Sequence, residues 1–297
     1  ALPIYIVIAS AGQGITRGQS SILMLDTYIN QSLIALRTKH NKLIPIYLLY
    51  LLTREYDGLR MISDGASTRG SLTCKLLQNY IISIPNLVTQ QKIASVLSTY
   101  DKLIENNIKR IQILEEMAQR IYKEWFVDFK YPGHDNDKLV DSELGMIPED
   151  WEILDIKDAV NKVVLGGTPT RKNEKFWNGE IPWIKSGKLN DLRVFEGTEY
   201  ITELGLEKSA TKLMPPRTVL IAITGAILIS LSEIELCANQ SVIGLYDSPV
   251  LSQEYIYLNQ QINIHQYISK MSGSAQQHIT KDIVQNTKIL VPNINIL

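Results

Sequence analysis

The longest periodic pattern of apolar residues runs from Thr89 to Phe126, a stretch without glycine or proline. Apolar positions recur there at alternating spacings of four and three residues, which is typical of a coiled-coil seam. Thr89 is the predicted N-cap, and we expect the helix to end before Tyr131. Charged residues flank a single seam, which favours a rod with one partner helix over a long core helix of one globular domain. The seam residues are Ile93, Leu97, Tyr100, Ile104, Asn107, Ile111, Leu114, Ala118, Ile121 and Trp125.

Elsewhere, short apolar runs alternate with turn residues and predict strands. In the C-terminal half these runs are VVLGG, IPWIKSGKL, TVLIAITG, ANQSVIGLY and KILVP. Helical patterns are few there, and the best covers residues 254–271; residues 44–62 mirror it in the N-terminal half. The pattern predicts an α+β protein, in which strand-rich domains are joined by the long helix.

Three segments of the chain occur twice in the same order. TYINQSLIAL at 27–36 resembles LCANQSVIGL at 236–245, and the segments 6–12 and 78–87 resemble 219–225 and 285–294. The offsets of 213, 209 and 207 residues indicate an internal tandem duplication with small loop differences. We call residues 6–87 the first copy and residues 219–294 the second copy. The shared Asn-Gln-Ser is predicted to pack a strand and satisfy backbone groups.

The repeat predicts a division into domains. Residues 1–84 are the C-terminal part of a first domain, 85–130 the long helix, 131–150 an acidic linker and 151–297 a second domain. About 70 residues lie between Pro148 and the second copy, whereas five precede the first, and no second long helix follows the second copy. We therefore expect the chain to be a fragment, truncated at both ends, of a longer protein with two domains and two helices.

Composition is that of a globular protein, with 45% apolar and 21% charged residues. The net charge is −1, so DNA binding would have to depend on the local distribution of charge. Residues 1–84 carry eight basic and four acidic side chains, residues 85–150 eight and twelve, and residues 157–188 seven and three. Two basic regions separated by an acidic helix favour a protein that holds a polyanion at two places. Ordinary solvated surface charge is the alternative.

Two isolated cysteines, Cys74 and Cys237, indicate reduced thiols and give no support to a disulfide or zinc site. The longest apolar runs are too short to cross a bilayer, and neither end has the succession of a secretory signal. We expect a soluble, cytoplasmic protein.

The densest polar stretch covers residues 166–189 and contains hydroxyl and cationic donors for phosphate oxygens. Gly166 and Gly167 permit tight turns there, and Trp177 and Trp183 are predicted core residues. In the second domain the candidate DNA contacts are Thr168, Thr170, Arg171, Lys172, Lys175, Lys185, Ser186, Lys188, Asn190, Ser274, Gln276 and Gln277. The matching candidates in the first are Gln13, Thr16, Arg17, Gln19, Ser67, Thr68 and Arg69. Gln276, Gln277 and Arg17 have the bidentate reach that base recognition in the major groove requires, whereas His278 is predicted to anchor its loop.

These motifs together resemble the DNA-specificity subunit of type I restriction-modification systems. The resemblance rests on GGTPTR, FWNGEIPWIKSGKL, ANQSVIGL, SGSAQQHI and IPNLVTQQKIASVLSTYDKLIENN, and it extends over essentially the whole chain. It implies two target-recognition domains, each of which reads one half of a bipartite DNA site, and two long helices that pair antiparallel. The chain departs from this pattern because it lacks the start of the first recognition domain and the second helix.

The resemblance also implies partners and the absence of catalysis. The helices are expected to set the distance between half-sites and to dock methyltransferase subunits, and endonuclease subunits complete the complex. No cofactor is expected in this chain. S-adenosylmethionine would serve the methyltransferase, which acts on a flipped base, and ATP and Mg²⁺ would serve the partner subunits.

Two other classes of protein remain as alternatives. A methyltransferase would require a glycine-rich cofactor loop and an Asn/Asp-Pro-Pro-aromatic motif, and a nuclease would require clustered carboxylates followed by lysine. The chain has neither methyltransferase motif, and PEDWEILDIK at 148–157 matches the nuclease pattern only superficially. A non-catalytic scaffold whose repeated domains bind proteins is the second alternative, and the basic loops argue mildly against it.

Overall fold

A computed structural model describes residues 5–12, 14–39, 41–65, 70–271, 278–293 and 296. The chain forms two compact units, Ala1–Leu114 and Glu115–Leu297. Both contain helices and strands, so the α+β prediction is confirmed. Within the described ranges no helix is long and apolar enough to span a membrane.

The first unit is built on a three-stranded antiparallel sheet. Its strands are β1 (Tyr5–Ala9), β2 (Ser20–Leu23) and β3 (Leu33–Leu36), in the order β2-β1-β3. Three short helices follow, α1 (Pro45–Arg54), α2 (Tyr56–Asp64) and α3 (Cys74–Gln78). The sheet and helices enclose an apolar core, in which the buried side chains are Ile6, Ile8, Leu48, Leu52, Leu59 and Leu72.

The long helix α4 spans Leu87–Phe126 and ends where the sequence predicts. Its predicted N-cap is wrong: the Asn86 side-chain oxygen accepts a hydrogen bond from the Thr89 amide at 2.9 Å. Asn86 is therefore the N-cap and Thr89 lies in the first turn. Both residue types cap helices, and they stand three positions apart, so the pattern of residues alone does not decide between them.

The predicted seam of α4 is open to solvent. Nine of its ten residues are exposed, and only Trp125 is half-buried. In the first unit the helix instead buries Gln90 and Ala94, and Ala94 packs against Tyr47 and Leu51. The seam thus makes no helix pair within the described part of the chain.

The second unit holds most of the strands. The segment predicted as a linker forms the hairpin β4 (Leu139–Ser142) and β5 (Gly145–Pro148). The remaining elements are β6 (Glu152–Asp155), α5 (Ile156–Ala159), β7 (Val163–Leu165), β8 (Trp177–Ile184), β9 (Arg193–Val194), β10 (Glu199–Ile201), α6 (Glu203–Glu207), β11 (Val219–Ala222), β12 (Ile229–Ser232), β13 (Cys237–Ala238), β14 (Val242–Leu245), α7 (Gln253–Ile262), α8 (Ile264–Ser269), α9 (Lys281–Gln285) and β15 (Lys288–Val291).

These strands form three sheets beside the hairpin. The largest has the order β7-β14-β11-β12-β9, and β10-β8-β13 and β15-β6 are smaller. All four residues of β11, β12 and β14 are buried, which explains the almost continuous apolar sequences of β11 and β14. Tyr122 and Phe126 of α4 pack against Tyr255 of α7 with ring centres 5.0 and 4.9 Å away.

The duplication predicted from the sequence is present in the fold. β11, β12 and β14 repeat the order and antiparallel pairing of β1, β2 and β3. The register is the same as well, since Ile6 pairs with Leu36 and Val219 with Leu245. In both copies the last helix is capped by a threonine, Thr73 or Thr280, whose side chain accepts a backbone hydrogen bond.

The two longer helices predicted in the copies are each broken in two. α1 gives way to α2 at Glu55, and α7 gives way to α8 at Asn263. Both break residues have ψ near zero, at 10° and 1°, away from the helical value of about −42°. Apolar spacing continues across each break, so periodicity could not reveal it.

Candidate nucleic-acid interface

The Asn-Gln-Ser turn has the same structure in both copies. Asn30 Oδ1 accepts a hydrogen bond from the Ser32 amide at 3.0 Å, and Asn239 Oδ1 accepts one from the Ser241 amide at 3.2 Å. Each asparagine thus closes a tight turn in front of the next strand. The prediction that this motif satisfies backbone groups is confirmed.

Arg171 lies on an aromatic surface made by β8. Its guanidinium carbon is 3.6 Å from the centre of the Trp177 ring and 5.1 Å from that of Trp183. The two rings meet edge to face at 5.2 Å. Trp183 is buried, as predicted for a core residue, whereas Trp177 is only half-buried and presents its face to the arginine.

Glu199 on β10 joins the two predicted contact loops. Its carboxylate accepts from Arg171 at 2.6 Å and from Lys185 at 3.1 Å. The hydrogen bond from Arg171 lowers the pKa of Glu199, and Lys185 lowers it further. Loop 168–175 and turn 185–190 are therefore held side by side, with two cations sharing one carboxylate. About half of each cation is exposed, so both can still reach a phosphate.

The other residues of loop 168–175 divide into support and exposed groups. Thr168 donates to the Gln240 side chain at 2.5 Å, and the Thr170 carbonyl accepts from the Trp177 indole at 3.3 Å. These two residues shape the loop. Lys172 and Lys175 are exposed and present positive charge to solvent.

Turn 185–190 borders an open depression of about 670 Å³. Lys188 and Asn190 lie at its edge with exposed side chains, and Ser186 is half-buried. Phe195 lines the same depression and is 68% exposed, which is unusual for a phenylalanine. Sequence reasoning missed Phe195 and Glu199. An aromatic residue directly before Glu196 and two positions after Arg193 was the available signal for the first.

In the first unit Thr16 and Gln19 are exposed, as expected for contact residues. Arg17 is not: it is 3% exposed and forms an ion pair with Asp64 of α2. In this structure the guanidinium is buried against a carboxylate, and its contact with a base edge stays a prediction. Its loop is tied down further, because the Tyr56 hydroxyl donates to the Ile15 carbonyl at 2.6 Å.

Several predicted contacts lie outside the described residues. These are Gln13, Ser67, Thr68, Arg69, Ser274, Gln276 and Gln277. His278, next to the last of them, is exposed and its backbone bridges to Thr224. Across the described ranges no cluster of three or more His, Cys, Asp or Glu side chains could hold a metal ion.

A protein-family model matches the two regions of the chain that contain the repeated copies. The family model described as "Type I restriction modification DNA specificity domain" covers residues 2–116 and 148–296. This chain belongs to that family. Each matched region contains one copy of the repeat, so the specificity domain occurs twice.

Individual relatives of this specificity-domain protein agree. The MjaIX specificity subunit of Methanocaldococcus jannaschii is 28% identical over 254 residues, which are 83% of this chain and 58% of the relative. The HindI specificity subunit of Haemophilus influenzae is 22% identical and the match covers 92% of this chain and 73% of the relative. The chain thus spans about six-tenths to three-quarters of the length of these relatives.

A solved structure shares the fold. The S subunit of a type I restriction-modification system from M. genitalium matches with a TM-score of 0.59 and 14% identity. The match covers 98% of this chain and 72% of that protein. At this identity the likeness concerns the fold alone.

Proposed function

We propose that this chain is a non-catalytic DNA-recognition component of a type I restriction-modification complex, in which each domain reads one half of a bipartite site. The observation that carries the proposal is the occurrence of the specificity domain twice, on two copies with the same strand order and register. Two similar readers in one polypeptide are what two half-sites on a duplex require.

In the second domain the DNA contacts are assigned to the two loops that Glu199 holds together. Arg171, Lys172 and Lys185 present positive charge and contact phosphates, which gives affinity without sequence information. Lys188 and Asn190, at the edge of the depression, contact base edges. Thr168 and Thr170 support the loop from below. The candidates outside the described residues remain proposals on sequence grounds.

The domain boundaries follow from the same assignment. Residues 1–84 and 151–297 belong to the recognition domains, 85–130 is the spacer helix, and 131–150 connects it to the second domain. The exposed seam of α4 is the docking face for an antiparallel helix and for methyltransferase subunits, since nine seam positions lie open along it. Endonuclease subunits join the complex in the cytoplasm, and S-adenosylmethionine, ATP and Mg²⁺ bind to the partner subunits.

Mapping of methylated bases tests this function. The chain is expressed with the methyltransferase subunit of its own system in a host that lacks other modification, and the methylated sites are sequenced. We expect a bipartite motif that disappears without the chain. Replacing Lys188 and Asn190 by alanine should relax one half-site and leave the other unchanged, and Lys138→Ala, just before the β4–β5 hairpin, is the matched control.

The competing scaffold function predicts a different result. DNA recognition is contradicted if the same bases are methylated with and without the chain. It is also contradicted if binding of the chain to duplex DNA does not change with salt concentration.

A further inference from the structure

Phe195 points its ring into solvent from the end of β9. Its side chain is 68% exposed, whereas the three other phenylalanines of the chain are buried or half-buried. The residue before it, Val194, is buried in one apolar cluster with Ile184 and Leu189. A single exposed apolar side chain is ordinary on a protein surface. A role for Phe195 therefore depends on how its ring is supported and on what surrounds it.

The backbone on both sides of Phe195 is fixed by hydrogen bonds to neighbouring segments. The carbonyl of the preceding residue accepts from the Glu233 amide at 2.9 Å, and the Thr198 amide donates to the Trp183 carbonyl at 3.0 Å. Between them Gly197 lies so close to β8 that a Cβ there would come within 2.8 Å of the Trp183 backbone nitrogen. The ring thus projects from a preorganised turn, and little backbone ordering opposes its contact with a ligand.

The depression beside Phe195 carries charge of both signs. Lys188 and Asn190 lie at its edge, and Asp191 and Glu196 are exposed residues of its lining. An arginine of the lining is already held in an ion pair with a glutamate. The two exposed carboxylates oppose contact with phosphates. A mixture of donors, acceptors and an apolar ring instead matches the base edges of the major groove.

The apolar group on those base edges is the 5-methyl group of thymine, and an aromatic ring contacts it by van der Waals packing. We propose that Phe195 packs against the methyl group of one thymine in the half-site that the second domain reads. This contact rests on the proposed function and names one base of that half-site. Lys188 and Asn190 donate to neighbouring base edges from the same depression.

Insertion of the ring between base pairs is the competing mode of contact. Glu196 directly follows Phe195, so a wedge would carry its carboxylate towards the phosphates of the opened step. Contact with a methyl group leaves this carboxylate in the groove, where it can accept from the amino group of cytosine. The two modes differ in sequence dependence, because methyl contact requires a particular thymine and a wedge contributes to binding of many sequences.

Deletion of the methyl group from the DNA tests the contact. The site is first mapped from the bases that are methylated when the chain is expressed with its methyltransferase subunit. Each thymine of the mapped site is then replaced in turn by deoxyuridine, which lacks only the methyl group. Fluorescence anisotropy at one salt concentration gives the affinity of the parent complex and of the Phe195→Ala complex for each duplex and for a duplex of unrelated sequence.

We expect one deoxyuridine substitution to weaken binding of the parent about fourfold, the effect of one group of methyl size. The same substitution should change binding of Phe195→Ala by less than about 1.5-fold, because the two deletions remove the same contact. Phe195→Leu keeps an apolar side chain and should retain the sensitivity to deoxyuridine. Val250→Ala, which shortens an exposed apolar side chain outside the depression, is the matched control and should behave as the parent.

The contact is ruled out if no thymine shows this dependence, or if Phe195→Ala keeps the full effect of deoxyuridine. It is also ruled out if Phe195→Ala weakens binding to the unrelated duplex as much as to the site, or if neither half-site contains a thymine. In these cases a bipartite site has still been mapped, so the proposed function stands. If the chain directs no methylation and prefers no duplex, the proposed function fails and the contact fails with it.

Discussion

The Arg171 guanidinium lies 3.6 Å above the Trp177 ring and at the same time donates to Glu199. Stacking fixes the plane of the guanidinium, and the carboxylate neutralises part of its charge. Because Lys185 shares the same carboxylate, Glu199 sets how much net positive charge the two loops present to solvent.

Glu199→Gln should therefore strengthen binding of the complex to duplex DNA of any sequence. We expect a gain of several-fold at moderate salt, and the slope of log affinity against log salt should steepen by up to about 0.9 for one additional phosphate contact. Fluorescence anisotropy across a salt series measures both quantities. Glu180→Gln, which changes an exposed carboxylate on β8, is the control. If the two variants have equal slopes of log affinity against log salt, Glu199 does not act at the DNA interface.

The same carboxylate predicts a pH dependence. Arg171, followed by Lys185, lowers the pKa of Glu199 in the folded protein from its ordinary value of 4.5. A lowered pKa means that the ion pair stabilises the fold fully above about pH 4.5, and the contribution is lost as the pH falls through the lowered pKa. Thermal unfolding at pH 7 should thus give free energies of unfolding for the parent and for Glu199→Gln that differ by at most about 1 kcal/mol. The two proteins should converge as the pH falls below that ordinary value, and a difference that grows towards acid would contradict the assignment.

Asn239→Ala should weaken the fold and leave the DNA sequence preference unchanged. The substitution removes the acceptor of the Ser241 amide, and one such hydrogen bond contributes about 1 kcal/mol. Urea unfolding gives the change in the free energy of unfolding, and methylation mapping gives the preference. Asn30→Ala is the matched change in the first copy, where the turn is more exposed and the loss should be smaller. An altered half-site in Asn239→Ala would instead make the turn a DNA contact.

Local patterns in the sequence predicted the long helix and several strands that occur in both copies. The seam spacing predicted α4, the residues from Tyr131 onward predicted where it ends, and the repeated letters located β1, β3, β11 and β14. Both depend on residues that are close in sequence or on direct similarity between copies.

Pairings between distant segments could not be predicted in this way. Glu199 pairs with Arg171, which is 28 positions away in sequence. Asp64 pairs with the buried Arg17, which is 47 positions away. In each case the sequence alone suggests an exposed charged residue, and only the fold brings its oppositely charged partner next to it. Polar loop residues are therefore weak predictors of contact until their counterions are known.

The exposed seam of α4 gives a last prediction. Ile111 is 53% exposed, so Ile111→Asp removes little buried surface and should change the free energy of unfolding by less than about 1 kcal/mol, mostly through helix propensity. Association with the methyltransferase subunit should fall by at least tenfold, because a charge would be buried in the seam. Urea unfolding and analytical ultracentrifugation of the mixture measure the two effects. Lys109→Asp, an exposed position off the seam, should leave association within about twofold. Loss of association in Lys109→Asp but not in Ile111→Asp would place the docking face on another side of the helix.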